Sequence, residues 1–434
     1  MEKLFQLKKH NTDVRTEVIG GLTTFFAMAY IIFVNPNFLS QTGMDQTAVM
    51  LATCISAAIG CFLTAFMANV PFAQAPGMGL NAFFTYTICF GMGYTWQQGL
   101  AIVFISGLIF LAISVSPIRK QIIDSIPASL KAAISAGIGL FICLIGLLNA
   151  GIVTAGNNLL DLSNITSGAP LLALIGLIIT GILMAWKVKG ALFIGILVTT
   201  VIGIPMGVTN LSNVSISFEG ISVAPTLFKL SFVGLLGNGI LPLLTAIVTF
   251  AMCDCFDTVG TLIGTAGSAG MLDENGNLPR GDKALIADAV ATCTGALMGT
   301  STVTTFVESS TGISEGARTG LSSVVVGILF LLGCVLAPIA GIIPSAATAP
   351  ALIIVGMFMI GNVAKIDWSD VEVALPCFLT IAMMPFAYSI SDGIGFGFIS
   401  YTLIKMARGK FKEVPVLLYI LSALFVVMYI LAAL

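Results

Sequence analysis

GTSTVTTFVESSTGISEGARTG, residues 299–320, lies inside a chain whose surroundings are almost wholly apolar. It opens with β-branched and hydroxyl residues, 301–307, that favour extended backbone, and reads as helix only from Ser309. PFAQAPGMGLNAFF, residues 71–84, breaks in the same way, because Pro71, Pro76, Gly77 and Gly79 cannot run as one regular helix. An extended piece followed by a half-helix leaves backbone groups unpaired and directs a positive helix N-terminus at mid-membrane depth. Such backbone must be buried against protein or face a watery cavity, and paired interruptions in two halves of a chain point to a binding site.

The surroundings are membrane. Of 434 residues 57% are hydrophobic and 9% charged, with mean hydropathy +1.06, whereas soluble domains carry about 25% charge. Apolar stretches of roughly 20 residues, each able to cross the hydrocarbon as a helix, recur along the chain. They predict an all-α polytopic protein with fourteen segments near 16–37, 47–70, 72–92, 96–116, 128–151, 170–187, 190–208, 236–267, 284–300, 302–320, 321–342, 344–363, 369–388 and 391–407. A further apolar stretch, 414–434, is long enough to cross or to lie against the bundle. No signal peptide is read in residues 1–20, so the first segment is expected to insert uncleaved.

The nine cysteines sit mostly in apolar segments, as small hydrophobes, and Cys253 and Cys255 have the spacing of neither a zinc site nor a redox pair. The single histidine, His10, lies in the polar N-terminal tail, which excludes histidine-ligated metal centres in the membrane. No metal or other cofactor is expected.

Positive charge orients the chain. With the N-terminus cytoplasmic, Arg119, Lys120, Lys187, Lys189, Arg280, Lys283, Arg318, Lys365 and the cluster Lys405, Arg408, Lys410, Lys412 all fall inside, while the external loops 157–167 and 208–226 carry no lysine or arginine. Only Lys229 falls on the wrong side. An internal repeat is visible as well. Ala52-Thr53-Cys54 with Ala57 and Gly60 recurs as Ala291-Thr292-Cys293 with Ala296 and Gly299; Phe26-Ala27-Met28 recurs as Phe250-Ala251-Met252, and Ile126-Pro127 as Ile343-Pro344. All three matches are seven segments apart, and an odd number of segments per half forces the halves to be inverted, as in secondary transporters.

Asp254 and Asp257 fall inside the eighth segment, Asp288 near the start of the ninth and Glu308 at the break of the tenth, with no basic residue at comparable depth. A bare carboxylate there costs several kcal/mol, so these groups take up protons or hydrogen-bond donors, which is the chemistry of proton coupling. Phosphate, sulfate or carboxylate cargo would want Arg or Lys. A pocket with Asp257 and Glu308 instead suits a neutral solute with N–H donors, and Phe83, Phe84 and Phe306 offer flat walls to a planar ring.

Four stretches, RTEVIGGLTTFFAMAY (15–30), APGMGLNAFF (75–84), FDTVGTLIG (256–264) and residues 299–320, resemble the nucleobase–cation symporters of the nucleobase–ascorbate superfamily, in the azaguanine-type branch of adenine, guanine and hypoxanthine permeases. The likeness covers nearly the whole chain. It implies a 7+7 inverted repeat split into core and gate domains: a tail 1–15, core 16–116 and 209–343, gate 117–208 and 344–412, and an extra C-terminal segment 413–434. It further implies that a purine sits between the half-helices of segments 3 and 10, held by Asp257 and Glu308 with Asn81, Thr24 and the Val307 backbone nearby, and with Met78, Phe306 and Ser309 from the same motifs. Thr261 and Asp288 match positions tied to coupling or pocket geometry, and Asp254 joins them by depth. Related pyrimidine carriers have histidines where this chain has Thr24 and Thr261, so their proton path does not transfer.

The implied activity is proton-coupled purine import across a bacterial cytoplasmic membrane, with the proton ahead of sodium, no nucleic-acid partner, and room for a homodimer through the gate domain. The rivals are an anion or pyrimidine carrier of the same architecture, a channel, and an intramembrane aspartyl protease. The protease needs two carboxylates facing each other across one water, which Asp254 and Asp257 on one helical turn do not provide.

Overall fold

A computed structural model describes residues 2–116, 125–156, 159–211, 221–273 and 278–432. The first helix is bent: α1 (Val14–Met28) starts at Asp13, whose side chain accepts the Thr16 N–H, and continues after a slip at Ala29 and Tyr30 as α2 (Ile31–Leu39). Asp45 caps α3 (Gln46–Leu63) in the same manner. Strand β1 (Gln74–Pro76) leads into the short α4 (Met78–Ala82), and a Thr95/Gln98 capping box opens α5 (Trp96–Val115). Then come α6 (Ala128–Asn149), the hairpin β2 (Val153–Gly156) and β3 (Leu159–Leu162), α7 (Gly168–Ala185) and α8 (Ala191–Gly203).

The chain continues with α9 (Ile240–Ser268), α10 (Gly281–Met298), β4 (Val303–Thr305), α11 (Ser309–Ser314), α12 (Gly320–Gly333), α13 (Ser345–Ile360), α14 (Val371–Phe386), α15 (Ile390–Ala407) and α16 (Val416–Ala432). Among the described residues eight helical stretches are long and apolar enough to cross a membrane. The breaks in segments 3 and 10 fall where the sequence places them. The hairpin β2–β3 replaces part of the expected plain loop 157–167, and Arg119 and Lys120 lie outside the described residues.

Strands β1 and β4 pair antiparallel, with Ala75 opposite Thr304 at the centre. Gly77 N–H donates to Thr302 O at 3.0 Å and Phe306 N–H to Ala73 O at 3.0 Å, so each break supplies the hydrogen bonds that the other lacks. Small residues bring the pieces together. A Cβ on Gly20 of α1 would stand 3.0 Å from the Gly312 carbonyl oxygen of α11, and at Gly299 a φ of 94° turns the chain out of α10 toward β4. One group of helices packs α5 on α10, α3 on α10 and α12, and α1 on α11 and α12; another packs α6 on α13 and α14, and α14 on α15.

Helix α16 runs antiparallel along α15. Lys405 Nζ meets Glu413 at 2.8 Å, Ser422 Oγ donates to Phe398 O at 3.0 Å, and Tyr429 OH donates to Asp392 Oδ1 at 3.1 Å. The C-terminal stretch therefore lies against the bundle through nearly the whole length of α15.

Candidate functional site

The site gathers where β1 and β4 cross, with α9 alongside. Glu308 occupies the cap position of α11 but makes no cap bond; its Oε1 accepts the Tyr30 hydroxyl at 2.9 Å. It is half-buried, and the neighbouring Val307 is 56% exposed, so the break opens toward free space. Asp257, in the middle of α9, is exposed. Gly260 and Gly264 continue the same helix face with nothing within 4 Å of a Cβ at either, and Thr261 is half-buried beside them. Asp257, Gly260 and Gly264 thus share one exposed face along α9.

The other expected residues divide. Met78 and Phe306 are buried walls at the crossing, and Asn81 is buried with its Oδ1 unpartnered. Thr24 is buried against Gly312, where it packs α1 on α11. Ser309 is fully buried, and its Oγ accepts the Ala73 N–H at 3.0 Å, which ties the second break to the first. Phe83 meets Phe250 of α9 edge-on, with centroids 4.7 Å apart.

Asp254 and Asp288, by contrast, are buried, at 2% and 0% exposure. Thr292 donates to Asp254 Oδ2 at 2.7 Å; Thr305 of β4 and Gln74 of β1 donate to Asp288 Oδ1 at 2.7 and 3.1 Å. Among the described residues Asp254 Oδ1, Asp288 Oδ2 and the Gln74 side-chain Oε1 have no hydrogen-bond partner. A hydrogen bond to a charged group returns about 1.5–3 kcal/mol, against several kcal/mol for desolvating each carboxylate.

Two features correct or extend the sequence reading. A basic group does reach this depth: Lys131 of α6 stands 5.3 Å from the centre of the Phe256 ring, one residue from Asp257. Its own segment is apolar, and only the packing of α6 on the other group of helices brings it there. Tyr30 was missed as a partner of Glu308, although it is a lone hydroxyl in the apolar run FAMAYIIF. Five residues beyond Asn81, Tyr86 forms a seam, its ring edge-on to Phe141 and Tyr388 and its hydroxyl 3.0 Å from Gln41.

Crossed, interrupted helices around accessible carboxylates define a multi-pass membrane transporter rather than an enzyme. Residues 15–396 match the Xan_ur_permease family, described as a permease family, and the chain belongs to it. It is 42% identical over 429 residues to the adenine permease AdeP of Escherichia coli K12, covering 98% of this chain and 95% of that one. It is 45% identical over 440 residues to the guanine/hypoxanthine permease PbuG of Bacillus subtilis 168, covering 99% of both. Among solved structures, the transmembrane domain of the cyanobacterial bicarbonate transporter BicA shares the fold, with a TM-score of 0.67 at 17% identity over 87% of this chain and 97% of that one. The family anticipated from the motifs is borne out.

Proposed function

We propose that this chain imports purine nucleobases by symport with a proton, the base lying between the half-helices α4 and α11. One observation carries the reading: Glu308 stands at the break after β4 and Asp257 is exposed in the middle of α9, and neither carries a salt bridge among the described residues. Carboxylates so placed accept N–H groups of a neutral ring, and Phe306 and Met78 wall the same space. The relatives of 42 and 45% identity, named for adenine and for guanine and hypoxanthine, support purines as the cargo.

The proposed architecture is fourteen segments in inverted 7+7 halves, with α16 added. The antiparallel pairing of β1 with β4 supports it, since corresponding strands of inverted halves meet in that sense. A core of segments 1–4 and 8–11 and a gate of segments 5–7 and 12–14 complete the proposal, with the two packing groups in its support. With the N-terminus cytoplasmic, the Tyr86 seam closes the outer side while the Gly260–Gly264 face of α9 is open toward the inside. Alternating access then consists of breaking that seam and covering that face.

Proteoliposome uptake of labelled adenine, hypoxanthine and guanine under imposed proton or sodium gradients tests the proposal. Purine accumulation driven by protons, competed by purines and not by uracil or sulfate, is the expected result. Uptake driven by sodium alone, or competed by uracil, would sink it.

A further inference from the structure

Four of the salt bridges gather on Glu372 and Glu413, where α14, α15 and the start of the C-terminal stretch meet inside one packing group. Lys189 and Glu315 form another, at 2.9 Å, and it crosses between the groups. Lys189 belongs to the turn joining α7 to α8, which pack on each other and on α13; Glu315 closes the half-helix α11, whose other end is Glu308. An exposed ion pair holds little by itself, so what backs each partner decides whether this one matters.

Both partners are built in. In the turn Lys187 has a φ of 57° and Gly190 a φ of 75°, and Gly190 comes so close to α1 that a Cβ would stand 3.1 Å from the Phe26 carbonyl oxygen. Phe193 of α8 stacks on Phe33 of α2 with centroids 5.8 Å apart, and Lys189 Nζ stands 3.5 Å from the hydroxyl of the buried Thr23 of α1. The turn therefore aims the lysine. On the other side, α11 sits backbone to backbone on α1 at Gly312 and Gly20, and Arg318 Nη1 donates to Ile313 O and Ala317 O at 2.7 Å each, covering carbonyls at the end of α11. A pull on Glu315 is thus carried through one rigid half-helix to Glu308.

We propose that Lys189 is a positioning residue for transport: from the α7–α8 turn it holds the far end of the half-helix that carries Glu308. It thereby favours the conformation seen here over the one reached when the two groups of helices slide past each other. The pair holds only while Nζ and Oε1 stay within about 4 Å, so sliding breaks it. Removing the pair costs this conformation alone and moves the balance to the opposite one. With the Gly260–Gly264 face open to the inside, the opposite conformation faces outward, and the apparent dissociation constant for external base is the intrinsic one divided by the share of carriers facing out. Loss of the pair therefore improves external affinity, whereas damage to the fold worsens it. The inference rests on the proposed binding role of Glu308 and on the inside-open orientation.

The test uses the full carrier in proteoliposomes, with Lys189→Gln, Glu315→Gln and the reversed pair Lys189→Glu with Glu315→Lys. Lys189→Gln is expected to lower the KM for external adenine by about two- to fivefold, the range of an exposed ion pair, and to slow thiol labelling of a Gly264→Cys reporter from the cytoplasmic side by a similar factor. The reversed pair should return both values toward wild type, and raised ionic strength should erase the difference between Lys189→Gln and wild type. Unchanged KM and labelling in Lys189→Gln, or a reversed pair that behaves like the single variants, overturn the proposal. If Glu315→Gln fails to insert, Lys189→Gln decides, since that side chain is 52% exposed. Reporter labelling from the outer side overturns the orientation instead; Lys189→Gln must then still slow that labelling, and raise rather than lower the external KM. A wild type that carries another base overturns the purine reading, and the same measurements with that base decide for or against Lys189.

Discussion

Asp257 and Asp254 stand one turn apart on α9, yet the first is exposed and the second is 2% exposed. Glu17 adds a third condition. It is fully buried too, but its oxygens accept the N–H groups of Arg318, Thr319 and Ser322 at 2.8–3.2 Å, at the start of α12. The carboxylate thus occurs exposed, sealed with donors, and sealed with orphan oxygens. Solvent lets a carboxylate bind and release cargo, a ring of amides makes it structural, and sealing without enough donors leaves room for a proton.

The contrast can be broken first at the open end. Glu308→Gln should lower purine uptake by about ten- to a hundredfold, the worth of one hydrogen bond to a charged acceptor, with unchanged membrane insertion; uptake at the wild-type level in a labelled-adenine assay would remove Glu308 from the site. Next comes the amide-bound case. Glu17→Ala leaves three N–H groups of a buried helix start without acceptors, at about 1–3 kcal/mol each before relaxation, so a large drop in thermal stability in detergent is expected, with little change in the purine affinity of the protein that survives.

Smaller effects sharpen the comparison. Tyr30→Phe removes the hydroxyl 2.9 Å from Glu308 and should shift apparent purine affinity by about three- to tenfold, the net worth of about 1 kcal/mol for one hydrogen bond; a full loss of uptake would mean that Tyr30 holds the fold rather than the acid. Last, Gly264→Cys should react with an impermeant thiol reagent applied from the cytoplasmic side and be shielded by adenine, whereas the native buried Cys253 and Cys255 stay unlabelled. Labelling from the outer side would reverse the proposed orientation of the open face.

Much of this was legible in order along the chain. The prolines and glycines of residues 71–84 and the hydroxyl-rich run after Gly299 forecast both breaks, and the depth of the four acids follows from the apolar lengths around them. The sequence could not separate the acids from one another. Asp254, Asp257 and Asp288 read alike, since each is a carboxylate in a hydrophobic helix, and which of them meets solvent depends on how α9 is rotated and on where β4 lies. Lys131 and Tyr30 stayed hidden for a related reason: each sits in an unremarkable apolar segment, and its partner is more than a hundred residues away.

Composition and periodicity determined that this chain lives in a bilayer as helices with two interruptions, because hydrocarbon tolerates almost no other backbone. The tertiary structure alone decided that the interruptions satisfy each other as antiparallel strands, that Tyr30 serves Glu308, and that one aspartate is exposed and its neighbour buried. Those outcomes depend on hydrogen bonds between residues distant in sequence, and no local pattern encodes them.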